Sequence, residues 1–400
     1  MKTLSMIQPL RIAIVGAGPG GLTLARILHL AGLPATVFER EPHALSRPQG
    51  GTLDLHVESG QMALRRAGLE AEFRQIARYE DQGSRLYDST GKLVLADDDA
   101  AGGDRPEVDR TALRQILLDA VPADAIRWGH ELREVRPRDD GAYDLVFEGQ
   151  TAGPFDLVVG ADGTWSKVRR LVSRYQPQYT GLTFIEFGID DADASHPGLS
   201  ALVGRGKAGI EGNDGRCMII QRNGNAHLRG YAIFRVPADW PAQRFDFSSP
   251  AALRAGLAAE FDGWAPDLVD LIRASNDAIV ARPIHALPVG HHWPNRIGIT
   301  LLGDAAHVMS PFGGEGVNAA MLDAAELARH LTETGDWTDA VRTYEAEMFA
   351  RVIEPATHAA EAAATELSHV SLELSLEHAR GHILARGEDA ASNHPPQSAA

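Results

Sequence analysis

Residues 11 to 39 restrict the possible folds of this chain more than any other stretch. Residues 11–15, RIAIV, are short, apolar and rich in β-branched side chains, which suits a strand buried on both faces. Gly16, Gly18 and Gly21 follow at the spacing G-x-G-x-x-G, ahead of an Ala- and Leu-rich helical stretch over residues 22–30. A second strand, residues 35–38, ends on Glu39. Each glycine has its own task. Gly16 permits a tight turn, Gly18 lets the backbone approach a pyrophosphate, and Gly21 allows the helix to pack closely on the strand. The helix N-terminus then offers unsatisfied N–H groups and the positive end of its dipole to phosphate. Glu39 stands where a carboxylate accepts hydrogen bonds from ribose hydroxyls, which favours an unphosphorylated ribose, as in FAD or NAD. A bare glycine triplet is a weak signal. The strand before it, the helix after it and the acid beyond turn it into a dinucleotide site.

Charge narrows the other partners. The 400 residues carry 54 Asp and Glu against 38 Lys and Arg, a formal net charge of −16 that no basic cluster offsets. Nucleic acid and anionic membrane surfaces are therefore not expected as partners, and a small-molecule substrate is. The single cysteine, Cys217, excludes an intramolecular disulfide and any Cys-rich metal site, as in a reducing cytoplasm. The opening residues lack the apolar core of a signal peptide, and no apolar run approaches the length of about 18 residues needed to span a bilayer. A cytoplasmic monomer without a metal is expected. A hydrophobic fraction of 44% is ample for two or three domains, and there is no internal repeat.

Along the chain, residues 46–56, SRPQGGTLDLH, are rich in turn formers and carry Arg47 and Asp54. Residues 58–75 read as one amphipathic helix, and 81–95 as two strands around Ser89-Thr90-Gly91. Residues 97–104 are acidic and Gly-rich, an exposed loop. In PEVDRTALRQILLDAV, Asp109 is placed to cap a helix whose polar face includes Arg110 and Arg114. Strands follow near 126–135 and 143–148. Residues 155–170, FDLVVGADGTWSKVRR, repeat the strand and glycine turn, with Asp162-Gly163 in the turn and a helix starting at Ser166. From 179 to 281 the texture changes. Alternation in segments such as 218–222 and 228–236 predicts strands with one wet face, hence a mostly antiparallel sheet. The buried strand and glycine turn return at 296–310, RIGITLLGDAAHVMS, and run on into PFGGEGVN. Helices are expected over 336–350 and about 355–384.

The third turn has chemistry of its own. Asp304, just after a buried strand, can accept from a ribityl hydroxyl, although a lone Asp there is more commonly a helix N-cap. The turn over residues 313–316 and the helix after it present N–H groups toward an anionic ring or oxyanion, with Asn318 in the first helical turn. His307 is expected to pack or hydrogen-bond inside the turn.

Three motifs in this order resemble the FAD-dependent aromatic hydroxylases, the para-hydroxybenzoate hydroxylase fold. They are GAGPGG at 16–21, DG at 162–163, and GD at 303–304 continuing to His307, Pro311, Gly314, Gly316 and Asn318. The resemblance covers nearly all the chain outside residues 180–280. The stretches GGTLDLH, PEVDRTALRQILL, SKVRR and GDAAHVMSPFGGEGVN are most similar to tetracycline-inactivating monooxygenases of the TetX type. It implies an α/β fold: a Rossmann-like FAD-binding domain (residues 1–178 and 282–340), an inserted, mostly antiparallel substrate domain (179–281), C-terminal helices (341–385) and a flexible tail (386–400). It also implies that Arg114 reaches the FAD, that Asp54 contacts the flavin, that Arg47 assists nicotinamide engagement, and that Asp162 positions cofactor backbone groups and NADPH. Gly316 and Asn318 join the cofactor side, and Phe312 the substrate side. Read without the resemblance, Arg47 and Arg114 would be solvated charges. Trp165, beside the DG motif, is a departure from it.

The implied activity is hydroxylation. NADPH reduces FAD and leaves, and the reduced flavin reacts with O2 to a C4a-hydroperoxyflavin that oxygenates an electron-rich carbon. Only one complete G-x-G-x-x-G fingerprint exists, so no separate nicotinamide domain is expected. No side chain is assigned as catalytic, because the flavin carries the chemistry. Tetracyclines, with an enolic carbon already activated, are the leading substrates, and another phenolic or polyketide substrate is the alternative. Glu186 aligns near a glutamine, and Arg229 near a histidine, that hold the drug's polar edge in TetX-like enzymes. An ionised carboxylate only accepts hydrogen bonds, so Glu186 would select a cationic or donor-rich edge and Arg229 an acidic or enolate one. The other reading pairs the two as a salt bridge on the sheet's solvent face. A flavin-dependent halogenase would carry a W-x-W pair, and none of the six tryptophans is so spaced. A non-catalytic flavin-binding protein is the third reading.

Overall fold

The computed structural model describes residues 10–46, 50–98, 103–365, 367–368, 370–377 and 380. Arg47, part of the acidic loop and the expected tail lie outside the described residues. The chain forms two compact units. One comprises Met1–Ala77, Val108–Gln178 and His285–Ala362, the other Arg78–Glu107, Tyr179–Ile284 and Ala363–Ala400.

The first unit is built on a five-stranded sheet in the order Ile299–Leu301, Leu157–Gly160, Ile12–Val15, Ala35–Phe38 and Ile126–Arg127. All its pairings are parallel. Its three central strands and Ile299–Leu301 are almost wholly apolar and buried, because helices cover a parallel sheet on both faces. Helix Pro19–Leu30 lies against helix Glu315–Glu333 so closely that a Cβ on Gly20 would stand 3.0 Å from the carbonyl oxygen of Ala320. An antiparallel sheet of Thr151–Phe155, Tyr143–Val146 and Glu134–Pro137 completes the unit.

Two expectations about helices change here. Residues 58–75 form two helices, Gly60–Arg66 and Glu70–Ile76. Gly68 separates them in the left-handed region at φ 69°, where its N–H and that of Leu69 close the first helix onto Arg65 and Leu64. After Asp162-Gly163 the chain makes only a 3₁₀ turn, Val168–Leu171, in place of an α-helix. Asp109 does precede helix Arg110–Ala120, but its side chain makes no capping bond.

The second unit holds a seven-stranded sheet in the order Val280–Ala286, Gln178–Ile189, Leu228–Arg235, Arg216–Arg222, Gly206–Glu211, Gly83–Asp88 and Leu93–Asp97. The hairpin around Ser89-Thr90-Gly91 thus adds two strands from before residue 179. It joins through a parallel pairing, Gly206–Glu211 beside Gly83–Asp88, in a sheet whose other described pairings are antiparallel. Strand alternation divides the side chains. Ile185, Phe187, Ile189, Leu228, Ala232 and Phe234 face helices Pro250–Ala259 and Pro266–Arg273, whose Leu253, Leu257, Leu268 and Ile272 complete that core. Phe184, Glu186, Arg229 and Tyr231 therefore share the opposite face.

Candidate functional site

Most of the residues expected at a dinucleotide site stand at the carboxyl ends of the parallel strands. Ile12–Val15 ends at Gly16, Ala35–Phe38 at Glu39, Leu157–Gly160 just before Asp162, and Ile299–Leu301 just before Asp304. In open α/β sheets this edge is where ligands bind.

The first turn is held tightly from behind and open in front. Gly16 sits at φ 110°, and a Cβ there would meet the carbonyl oxygen of Ala161 at 2.2 Å. A Cβ on Gly21 would meet the carbonyl oxygen of Gly16 at 2.1 Å, whereas one on Gly18 would meet nothing within 4 Å. Helix Pro19–Leu30 has no side-chain cap and no acid in its first turn, so its leading N–H groups face an open approach. The Gly16 N–H donates to the Phe38 carbonyl at 2.8 Å. Glu39 accepts from the N–H of Ala17 at 2.7 Å on one carboxylate oxygen and of Glu41 at 3.0 Å on the other. Each oxygen keeps a second lone pair for a ribose hydroxyl.

Arg114 is buried, and its guanidinium is engaged by its own chain. Nε donates to the Ala17 carbonyl at 3.1 Å, Nη1 to that of Ala44 at 2.9 Å, and Nη2 to the Glu41 carboxylate at 3.0 Å. It braces the glycine turn from its inner side.

The second and third turns are joined by a residue that the sequence reading did not single out. Arg169 is fully buried; Nη2 donates to the Thr164 carbonyl at 2.7 Å and Nη1 to the Ala305 carbonyl at 2.9 Å. Burial holds its pKa below the usual guanidinium value, against the charges of Asp162 and Asp304. Its only signal in the sequence was its place in SKVRR. Asp162 folds onto its own turn, accepting from Ser166 Oγ at 2.5 Å and from the Lys167 N–H at 2.7 Å. Burial nevertheless pushes its pKa up. Asp304 behaves differently. It is the one exposed residue between Ile299 and His307, and its carboxylate has no hydrogen-bond partner among the described residues. Gly303 holds the N-cap position that a lone Asp would usually take.

Asp323 of helix Glu315–Glu333 supports that third turn. It is fully buried and accepts from the Gly303 N–H at 3.0 Å, from His307 Nε2 at 2.6 Å and, on its other oxygen, from Arg351 Nη2 at 2.8 Å. Burial alone would lower the pKa of His307, but the charge and hydrogen bond of Asp323 carry it above the ordinary imidazole value. Burial likewise opposes the ionised Asp323, and His307 with Arg351 brings its pKa below the usual carboxylate range. His307 is thus a hydrogen-bonded structural group, as expected, with its partner on a helix outside the turn.

Asn318 ties the start of that helix to the strand Thr52–Asp54. Its amide donates to the Asp54 carbonyl at 2.9 Å, and its Oδ1 accepts from the His56 N–H at 3.0 Å and Ser59 Oγ at 3.3 Å. The Asp54 carboxylate meets His56 Nε2 at 3.2 Å and would contact a Cβ on Gly314 at 2.7 Å. A Cβ on Gly316 would come within 4.0 Å of Asp304 Oδ1. Asp54, Gly316, Asn318 and Asp304 are therefore brought to one place. Phe312 is buried in the loop just before them.

On the second unit, Glu186 and Arg229 do form an ion pair, with Arg229 Nη1 on Glu186 Oε1. The pair differs from the expected solvent-face bridge in two ways. Glu186 is buried, and its other oxygen is taken by Nε of Arg282, which arrives on the neighbouring strand Val280–Ala286. Two guanidiniums on one carboxylate leave a net positive group, with Phe184 and Tyr231 on the same sheet face, their ring centroids 5.9 Å apart.

The strand-end residues fit FAD: an open glycine approach for pyrophosphate, Glu39 for ribose, and the exposed Asp304 for a ribityl hydroxyl. A metal has a weaker claim. Glu326, His330 and Glu347 bring ligand atoms within 4.8 Å of one another. The Arg329 guanidinium lies against all three, at 2.7 Å, 2.9 Å and 3.3 Å, and makes the group an ion-pair cluster.

Comparison with known proteins agrees with this geometry. The family model described as an FAD binding domain matches residues 10–354. The monooxygenase penA of Penicillium thymicola is 34% identical over 369 residues, which cover 80% of this chain and 84% of penA. The FAD-dependent urate hydroxylase of Klebsiella pneumoniae is 28% identical over 354 residues, covering 86% of this chain and 87% of the hydroxylase. Among solved structures, tetracycline destructase Tet(51) superposes with a TM-score of 0.69 at 21% identity, over 97% of this chain and all of the destructase. That likeness establishes the shared fold alone.

Proposed function

The chain belongs to the FAD binding domain family of flavin-dependent monooxygenases, and from that premise we propose that it uses NADPH and O2 to hydroxylate an enolic or phenolic polycycle, with tetracyclines the first candidates. The bound flavin supplies the oxygen-activating chemistry. The chain's own residues bind and orient it. Gly18 and the N-terminus of helix Pro19–Leu30 receive the pyrophosphate, Glu39 the ribose and Asp304 the ribityl chain. Asp323 and Arg169 fix the backbone on either side of Asp304, and Asn318 holds the Asp54 strand against the start of helix Glu315–Glu333.

One observation carries the substrate part of the reading: the clamp of Arg229 and Arg282 on buried Glu186. Its net positive charge suits an enolate or phenolate oxygen, and the neighbouring Phe184 and Tyr231 suit a flat ring. A tetracycline presents such an oxygen on a fused ring system. The sequence relatives at 28–34% identity include a fungal monooxygenase and a urate hydroxylase, so urate and other anionic ring compounds belong in the same test. The same reading has the protein act as a cytoplasmic monomer on a small molecule. No helix among the described residues is long and apolar enough to cross a membrane.

The test is mass spectrometry of tetracycline incubated with the FAD-loaded protein, NADPH and O2. The expected product is heavier by one oxygen, with NADPH consumed in equal amount. Peroxide without product would remove tetracycline, and a urate product would replace it. Flat NADPH oxidation under every condition would reduce the chain to a flavin binder.

A further inference from the structure

One buried carboxyl group of the second unit lies outside the site above and has no cation. Glu211, the last residue of strand Gly206–Glu211, is 5% exposed. Buried Asp323 and Glu186 each meet a guanidinium, whereas Glu211 is held by a hydroxyl and a thiol. Ser375 Oγ donates to its Oε1 at 3.0 Å, and Cys217 Sγ lies 3.5 Å from the same oxygen. Oε2 is buried without a hydrogen-bond partner among the described residues. An ionised carboxylate is costly in such a place, and the neutral acid is the form that fits. Burial accordingly lifts the pKa of Glu211 above the usual carboxylate value, against the bonds from Ser375, Cys217 and Ser371.

The serines come from a late segment of the chain. Residues 371–377 are helical, with Ser371, Leu372, Ser375 and Leu376 on the less exposed side and Glu373, Leu374 and Glu377 on the exposed one. Asn213, in the turn after Glu211, receives the start of this segment. Its Oδ1 accepts from the Leu372 N–H at 2.8 Å and from Ser371 Oγ at 3.3 Å. Upstream, Arg235 Nη2 donates to the Ala363 carbonyl at 2.7 Å. Glu211 lies opposite Cys217, Cys217 opposite Ile233, and Ile233 opposite Phe184, so these four form one row across the sheet. The row is on the face away from helices Pro250–Ala259 and Pro266–Arg273, the face that carries Glu186, Arg229 and Tyr231. The segment therefore covers one end of that row.

We propose that residues 371–377 are a pH-sensitive strap over this sheet face, latched by the protonated carboxyl of Glu211 and released when that proton is lost. Docked, Glu211 is neutral and out of water; released, it is solvated and titrates as an ordinary glutamate, at about 4.3. Because its pKa is raised in the docked form, docking is strongest below about pH 4.3, weakens as pH rises toward the raised value, and levels off above it. Release uncovers Glu211 and its end of the row that runs to Phe184. The surrounding titratable groups do not supply this response. Asp88 lies opposite Glu211 on strand Gly83–Asp88; burial opposes its charge, but Thr90 and the Lys92 N–H bring its pKa below the usual value, so it stays ionised throughout. Asp214 is paired with Arg216, and Lys207, Glu373 and Glu377 are exposed. Cys217 is common to every protein compared below. The strap acts in this way whatever the substrate is.

The test is hydrogen exchange of the full FAD-loaded chain, read by mass spectrometry on the peptide that holds residues 371–377 and corrected for the intrinsic rate at each pH. Between about pH 5 and 8, wild-type protection of this peptide should fall by about tenfold per pH unit at most, and then level off. Glu211→Gln keeps a neutral side chain of nearly the same shape, and its protection should stay flat over that range. Ser375→Ala removes the latching hydroxyl and should lower protection about fivefold near pH 5. The peptide holding helix Pro250–Ala259 serves as the control and should show no pH trend in any of the three proteins. Equal pH profiles in wild type and Glu211→Gln would overturn the proposal. So would a flat wild-type profile, a result that needs neither variant to fold.

Discussion

The turns after strands Leu157–Gly160 and Ile299–Leu301 are neighbours in the parallel sheet and look alike in sequence: a buried apolar strand, then glycine and aspartate. Their aspartates do opposite things. Asp162 folds back on its own turn, where Ser166 offers a hydroxyl and Lys167 and Val168 offer N–H groups. The residues after Asp304 are Ala305, Ala306 and His307, and none of them binds its carboxylate. That turn is held from outside by Asp323, which grips the Gly303 N–H at one end and the His307 ring at the other. A turn that caps itself has engaged its carboxylate. A turn braced by a distant helix keeps one available for a ligand.

The largest test of this difference removes the brace. Asp323→Ala leaves the Gly303 N–H, His307 and Arg351 without the buried carboxylate that binds all three, and breaking a buried pair in this way costs about 3–5 kcal/mol. Denaturant unfolding of the FAD-free protein should show a loss of that size. A change under about 1 kcal/mol would mean that the turn is held by something else.

The next test sets the two aspartates against each other. Asp304→Ala should leave the melting temperature of the FAD-free protein unchanged and weaken FAD binding by about one to two orders of magnitude. Those factors correspond to one charge-assisted hydrogen bond of about 1.5–3 kcal/mol. Asp162→Ala removes a cap and should cost about 1–2 kcal/mol of stability. FAD titration by flavin fluorescence, alongside thermal melts of both variants, reads the two effects separately. Equal destabilisation by the two substitutions would erase the distinction.

How much of this was readable beforehand depends on how far apart the partners lie. The stretch from Gly16 to Glu39 was legible because its strand, turn, helix and acid are consecutive, and the structure places them as the spacing requires. Arg114 was placed correctly on its helix, but a helix position does not tell which neighbours take up a charge; Ala17, Ala44 and Glu41 do so here. Arg169, Asp323 and Arg282 were missed because each acts on partners from other elements, such as Ala305, Gly303 and Glu186. Alternation correctly separated the two faces of the second unit's sheet. It could not say that Glu186 is buried, or that a third residue would join the pair. Gly68 shows the same limit at short range. Its φ of 69° ends a helix that periodicity alone would have continued.

The smallest effect concerns the charge within the brace, and its sign follows from the two pKa shifts. His307 has its pKa raised in the folded protein, so its contribution is complete below the ordinary imidazole value of about 6.5 and is lost as pH rises through the raised value. Asp323 has its pKa lowered, so its contribution is complete above the ordinary carboxylate value of about 4 and is lost only as pH falls through the lowered one. Near pH 6 both groups are charged, and the Gly303–His307 turn is held by an ion pair as well as a hydrogen bond. His307→Gln keeps an amide donor for Asp323 and removes the charge. The stability gap between wild type and this variant should therefore be widest near about pH 6, on the order of 1 kcal/mol, and should narrow as the pH is taken up toward about 9. His291 and Asp304 also lie within electrostatic reach of His307, but they remain in place in both proteins, so the difference between the two melting curves isolates the charge on His307. A gap that stays flat across that range would show that Asp323 holds the turn with a neutral imidazole, and that the brace depends on hydrogen bonds and Arg351 alone.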